Sequence, residues 1–244
     1  MVVLKGGYPF YGKHVGVIML DCSFPRPPGD IGNARTFPFP VHYEVLEGVP
    51  AASLTRDGDK AAVNLLIDAA KRLERRGVPA IVTSCGLLIR YQNQLSQAVR
   101  VSVATSSLLL LPFLGAMLPK ERKIGIITAD ASAIDPHVLL HAGWEQPGRA
   151  VIRGMEGSEI FRKAILEPQP PFDLDIKQLC NEILSVGRQL LFEEPEIGVL
   201  LLECTNLAPY SSQMRKTLSI PVYDVTHLVY LLHASMNDEI AGMP

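Results

Sequence analysis

The chain has only four cysteines in 244 residues, with no CxxC pair and no Cys/His cluster, so it offers no ligand set for a structural zinc site. A disulfide framework is not expected either, because a chain of this length has enough apolar content to build its own core. Charge of one sign is also lacking. With 23 basic and 25 acidic residues the formal net charge is −2, and neither nucleic acid nor an anionic membrane is expected as a partner. There is no long hydrophobic run: the longest, Leu108 to Leu118, is interrupted by Pro112 and Gly115 and falls short of a membrane span. Val15 to Leu20 is too short for the apolar region of a signal peptide, and Asp21 follows it without a small-residue cleavage site, so a cytoplasmic protein is expected. No GxGxxG follows that first run, which argues against a dinucleotide-binding oxidoreductase. No metal and no cofactor are expected.

What the chain does have is alternation. Apolar runs of four to seven residues recur between helical patterns. Val15 to Leu20 reads as the first strand. Val63, Leu65, Leu66, Ala69, Ala70 and Leu73 form one helical face, followed by Arg75, Arg76 and a terminating Gly77. Further strands are expected at Pro79–Thr83, Val101–Ala104, Lys123–Thr128, Ala150–Arg153, Ile197–Leu202 and Pro221–Tyr223. Helices are expected from about Leu88, over Ser107–Leu118, Glu159–Leu166 and Ile176–Leu191, and after Val225. This order predicts an α/β fold of parallel sheets with right-handed crossovers. Gly16-Val17-Ile18-Met19-Leu20 and Gly125-Ile126-Ile127-Thr128-Ala129 open two halves in the same manner, which points to a duplicated domain.

Two of the cysteines occupy matching places in those halves. Cys85 follows the strand ending in Thr83-Ser84, and Cys204 follows the strand ending in Leu202-Glu203. Side chains at the carboxyl ends of parallel strands face the crevice where open α/β sheets bind ligands. Each cysteine precedes residues suited to opening a helix, whose N–H groups lower a thiol pKa and hold a carboxylate. A pair of thiols on opposite faces of one carbon can remove an α-proton and return one to the other side, inverting a stereocentre without a cofactor. Thr83, Ser84, Thr205 and Asn206 are candidates to bind a substrate carboxylate or orient the sulfurs; Ser, Thr and Asn at such places also act as helix caps. Tyr210 follows the second motif and is a candidate pocket residue. Cys180 lies on the apolar stripe of a helix and reads as a packed thiol. The proline- and glycine-rich segment from Phe24 to Thr36 reads as a loop that covers substrate, with Arg35 a candidate partner for a carboxylate.

On these motifs the chain resembles the aspartate/glutamate racemase superfamily, which also contains hydantoin racemases, maleate isomerases, arylmalonate decarboxylases and dimethylsulfoniopropionate lyases. Cys204-Thr205-Asn206 is similar to the family's second motif and Cys85-Gly86, more loosely, to its first. The resemblance covers essentially the whole chain. It implies two pseudo-symmetric α/β domains with the active site in the cleft between them, one cysteine from each, and a homodimer. It also implies a first domain of residues 1–105 plus 221–244, closed by Pro221 to Thr226, and a second of residues 106–220. Asp21 and Ser23 stand where glutamate racemases carry an acidic and a hydroxyl group, which makes them candidate substrate-binding residues. Gly86 stands where an amide usually does, Glu203 replaces a glycine, and Asn206 replaces a histidine, which counts against glutamate or aspartate as substrate. The resemblance implies a cofactor-independent racemase or epimerase of a small carboxylate or amino acid, with Cys85 and Cys204 catalytic. Two alternatives stay open: a lyase on the same scaffold, by β-elimination or decarboxylation, and a non-catalytic carboxylate-binding protein.

Overall fold

Runs rich in Val, Ile and Leu become strands buried on both faces, and these set the architecture. The computed structural model describes residues 7–8, 12, 15–55, 58–168, 170 and 173–236. The first half contains β1 (Val15–Leu20), β2 (Val41–Leu46), β3 (Ala80–Thr83) and β4 (Ser102–Ala104), paired in parallel in the order β2-β1-β3-β4. The second contains β5 (Lys123–Thr128), β6 (Ala150–Gly154), β7 (Ile197–Leu202) and β8 (Val222–Tyr223), also parallel, in the order β6-β5-β7-β8. The two orders are the same, so β1 matches β5 and β3 matches β7. The expected duplication is present as a repeat of topology.

Side chains alternate across each central strand and divide the apolar residues among three clusters. Val15, Val17 and Met19 from β1, with Ile124 and Ile126 from β5 and Val199 and Leu201 from β7, share one core between the two sheets. Ile18 and Leu20 turn the other way, onto Leu66, Ala69, Ala70 and Leu73 of the Lys60–Arg75 helix. Ile127, Leu200 and Leu202 pack on Leu179, Ile183 and Leu190 of the Ile176–Glu193 helix. The shared middle core joins the halves into one packed unit and holds their strand ends in register.

Local chemistry explains the helix ends. Asp59 accepts from Ala61 N at 2.9 Å to cap the first long helix, and Gly77 follows it at φ +77°. Asp175 caps the second through Lys177 N and Gln178 N, each at 3.0 Å. Among the described residues no helix is long and apolar enough to cross a membrane.

Among the described residues several elements were not expected, the β2 strand and some short helices. The β2 strand was hidden by His42 and Glu44, which are polar because they face the basic end of the Lys60–Arg75 helix. Glu44 bonds Arg72 Nε at 2.5 Å and Arg76 Nη1 at 2.6 Å. The Ala51–Thr55 and Pro136–His141 helices are too short to show a period. The domain assignment of residues 221–244 is corrected in part. Val222–Tyr223 pairs with β7 in the second sheet, and only the Val225–Met236 helix crosses to the first half, where Val225, Leu228 and Val229 join the shared core. The strand stays where hydrogen-bond partners exist, and the helix goes where apolar surface does. The expected boundaries extend over residues 1–6, 56–57 and 237–244, among others, which lie outside the described residues.

Candidate active site

Each cysteine caps a short 3-10 turn: Cys85 opens Gly86–Tyr91 after β3, and Cys204 opens Thr205–Tyr210 after β7. Equivalent main-chain bonds fix the two approaches, from Ser84 N to Ile18 O at 2.9 Å and from Glu203 N to Ile127 O at 2.8 Å. The turns then meet. Thr205 Oγ1 donates to Ser84 O at 2.6 Å. On the other side, a Cβ added to Gly86 would lie 2.7 Å from Glu203 Cδ and nearer still to its Oε1 and main-chain oxygen. The neighbours of Cys85 therefore touch the neighbours of Cys204 in reverse order, which relates the two motifs by a local pseudo-dyad. Cys85 is close enough for its charge to act on the Cys204 thiol.

Burial dominates the electrostatics. Desolvation, then the Glu203 carboxylate, push the Cys85 thiol up to about 12, against a smaller lowering by the N–H groups of Leu87 and Leu88. The same causes raise Cys204 further, against the N–H of Asn206. The helix-end N–H groups act in the expected direction but are outweighed by burial and the Glu203 charge, which favour the protonated thiol at both cysteines, against the expectation of ready thiolates. The thiolate is the reactive form, so iodoacetamide should label Cys85 at pH 7 on the order of 10³-fold more slowly than free cysteine. The rate should climb steadily between pH 8 and 11. Rapid labelling at neutral pH, located by peptide mass spectrometry, would show that this picture of the site is wrong.

Several candidate residues meet at the site, and others do not. Asn206 Nδ2 lies 3.7 Å from Cys204 Sγ. Asn206 Oδ1, Tyr210 OH and Glu203 Oε1 are buried without a hydrogen-bond partner, and Glu203 Oε1 lies against Gly86 on the side of the first motif. Burial raises Tyr210 to about 12, so its hydroxyl stays protonated and able to donate. Thr83, Ser84 and Thr205 each bond the main chain. Thr83 Oγ1 donates to Thr105 O at 2.6 Å, Ser84 Oγ accepts from Leu20 N at 2.9 Å, and Thr205 ties the two motifs. Asp21, Ser23 and Arg35 are exposed; Asp21 accepts from Gly48 N, and the Arg35 main chain is held by Asn33 Oδ1. The loop after β1 turns Gly29 and Asp30, not those three side chains, toward the second motif.

That loop occupies the β1–β2 connection, where the second half has a helix. Ile31 and Phe37 anchor it in the shared core. Gly29, at φ +103°, lies so close to Pro209 that a Cβ would meet Pro209 Cα at 2.7 Å. Buried Asp30 accepts from Arg26 Nη1 at 2.8 Å and Gly32 N at 2.7 Å, and its charge reaches Cys204. The loop thus lies against the turn that follows Cys204. Asp30 and Arg26 were missed in the sequence because nothing local separates them from other loop charges. Glu203 had a signal, a lone acid closing an apolar strand beside a cysteine. Among the described residues no three His, Cys, Asp or Glu side chains are grouped to hold a metal ion.

No family model matches the chain. It is 30% identical over 222 residues to a dimethylsulfoniopropionate lyase of Durusdinium sp. clade D, covering 87% of this chain and 72% of that protein. It is 26% identical over 242 residues to dimethylsulfoniopropionate lyase 5 of Emiliania huxleyi, covering 93% of this chain and 46% of that protein, so it spans about half the length of this second relative. Among solved structures, a sulfate-associated cysteine mutant of arylmalonate decarboxylase matches at TM-score 0.60 and 17% identity, covering 91% of this chain and 94% of that one. Allantoin racemase from Pseudomonas fluorescens matches at TM-score 0.59 and 18% identity, covering 90% and 89%. At those identities the likeness is one of fold.

Proposed function

Because the chain belongs to the dimethylsulfoniopropionate lyase family, on the scaffold of the Asp/Glu/hydantoin racemases, we propose that it is a cofactor-independent lyase acting on a small carboxylate with a leaving group on its β-carbon. Dimethylsulfoniopropionate is the substrate of choice. In this reaction a thiolate takes the α-proton, and the C–H electron pair becomes the new C=C bond. The Cβ–S bond breaks with its pair leaving on sulfur, giving acrylate and neutral dimethyl sulfide.

The unequal surroundings of the two thiols carry this reading. A two-base racemase needs thiols matched for both directions, whereas elimination needs one base and a leaving group. Here Cys204 has the Asn206 side-chain amide at its sulfur, while the donors acting on Cys85 are the main-chain N–H groups of Leu87 and Leu88. Gly86 further removes the side chain expected to help hold an amino acid. The pseudo-dyad supports a second reading, racemisation, in which both cysteines would serve one carbon.

Incubation with dimethylsulfoniopropionate should release dimethyl sulfide, followed by headspace gas chromatography, and acrylate, followed by NMR, in equal amounts. Absence of both products, with α-hydrogen exchange on chiral carboxylates in deuterated water, would replace the lyase reading with racemisation.

A further inference from the structure

Glu203 breaks the two-fold relation of the motifs. At the matching place the first half has Ser84, whose short side chain accepts from β1. The longer Glu203 side chain runs past Gly86 and is only 2% exposed. Its Oε2 accepts from Thr128 Oγ1 at 2.6 Å, and Oε1 has no hydrogen-bond partner. Among the described residues no cationic side chain acts on it. A carboxylate kept in so dry a place, with one oxygen open and two cysteines alongside, is costly for folding, and packing alone does not explain it.

We propose that Glu203 is the proton acceptor of the thiol pair, holding the site's negative charge in the free protein and taking the working thiol's proton when a positively charged substrate enters. This deepens the lyase reading and rests on it. The thiol S–H proton moves to the Glu203 carboxylate, and the electron pair stays on sulfur. The thiolate takes the α-proton and becomes a thiol again as acrylate and dimethyl sulfide form. The proton on Glu203 then leaves to solvent, so each turnover releases one proton and restores the starting state. The thiol and the carboxylate carry one negative charge between them until the α-proton is taken; both are then neutral, and loss of the Glu203 proton restores that charge, so over a turnover the charge of acrylate is matched by the proton released. Because Glu203 acts through the thiols and not on the substrate, it is a positioning residue.

The groups around it are consistent with this role. Thr128 faces it from β5, Cys85 from the turn after β3, and Cys204 adjoins it. Further out, Cys22 acts on Cys85, while Asp30, paired with Arg26, acts on Cys204. Burial raises Glu203 to about 7, partly opposed by the Thr128 hydrogen bond. It must be ionised to accept a proton, so kcat should rise with pH through about 7 and be lost below.

Glu203→Gln keeps the shape and removes the acceptor. Its kcat on dimethylsulfoniopropionate should fall on the order of 10²-fold with KM little changed, and the limb near pH 7 should disappear. In the same variant, without substrate, iodoacetamide should label Cys85 and Cys204 roughly tenfold faster between pH 7 and 10, because the opposing carboxylate charge is gone. Slower turnover and faster labelling together with loss of the limb near pH 7 is a combination that a merely structural role does not produce. Thr128→Val serves as the second variant: without the hydrogen bond that favours the carboxylate, the limb should move to higher pH. An unchanged kcat and limb in Glu203→Gln, or unchanged labelling, would overturn the proposal. If the wild-type protein leaves dimethylsulfoniopropionate intact, the lyase reading fails, and the labelling comparison still decides whether Glu203 and the thiols share their protons.

Discussion

Cys204→Ser should lower kcat/KM on dimethylsulfoniopropionate by at least about 10³-fold, the range that removal of a general base produces. A serine hydroxyl in the same dry position does not ionise under conditions in which the protein is folded. Cys204 is the expected base because Asn206 Nδ2 reaches its sulfur and the open polar atoms of Asn206 and Tyr210 lie on its side. Cys85→Ser should act differently, through KM and orientation, with a smaller loss of kcat. Steady-state kinetics on both variants, with circular dichroism to show that each is folded, separates the schemes. Equal loss in both, with α-hydrogen exchange surviving from opposite enantiomers, is the signature of a two-base racemase. Near-normal turnover in both would remove the cysteines from the chemistry altogether.

Gly86→Ala should destabilise the fold by about 3 kcal/mol, at the upper end of overpacking costs. The added Cβ meets Glu203 on both its side-chain and main-chain oxygens. Neither can retreat easily, since Glu203 N is bonded to Ile127 O and its Oε2 to Thr128. Pairing the change with Glu203→Gly, which restores a racemase-like glycine before Cys204, should recover part of the loss, because only the side-chain clash is relieved. Urea denaturation of the two single variants and the double variant measures this coupling directly. Additive losses would mean that the two departures from the racemase motifs are independent. A strong coupling would mean that Gly86 and Glu203 are one exchange, made across the cleft.

Much of the scaffold was open to sequence reading. The strands Val15–Leu20, Lys123–Thr128 and Ile197–Leu202 have the expected bounds. All three are central strands, and burial on both faces leaves an apolar run that no helix face imitates. The edge strand Val41–Leu46 was not legible, because its polar side is paired with a helix distant in sequence. The same division holds at the site. Cys85 and Cys204 were recognisable from their places at strand ends. Thr83, Ser84 and Thr205, equally plausible as ligand groups by residue type, proved to be bonded to the main chain.

By itself, then, the sequence determined the alternating α/β order, the duplication and the two thiols, because periodicity and strand length are set by neighbours along the chain. Tertiary structure alone decided that Ser84 would meet Thr205 and Gly86 would meet Glu203, that Asp21, Ser23 and Arg35 would face outward, and that the protonated thiol would be favoured at both cysteines. A pKa sums desolvation and charge over everything nearby in space. At this site the largest contributions come from the packing of two half-domains on one another, which no local pattern records.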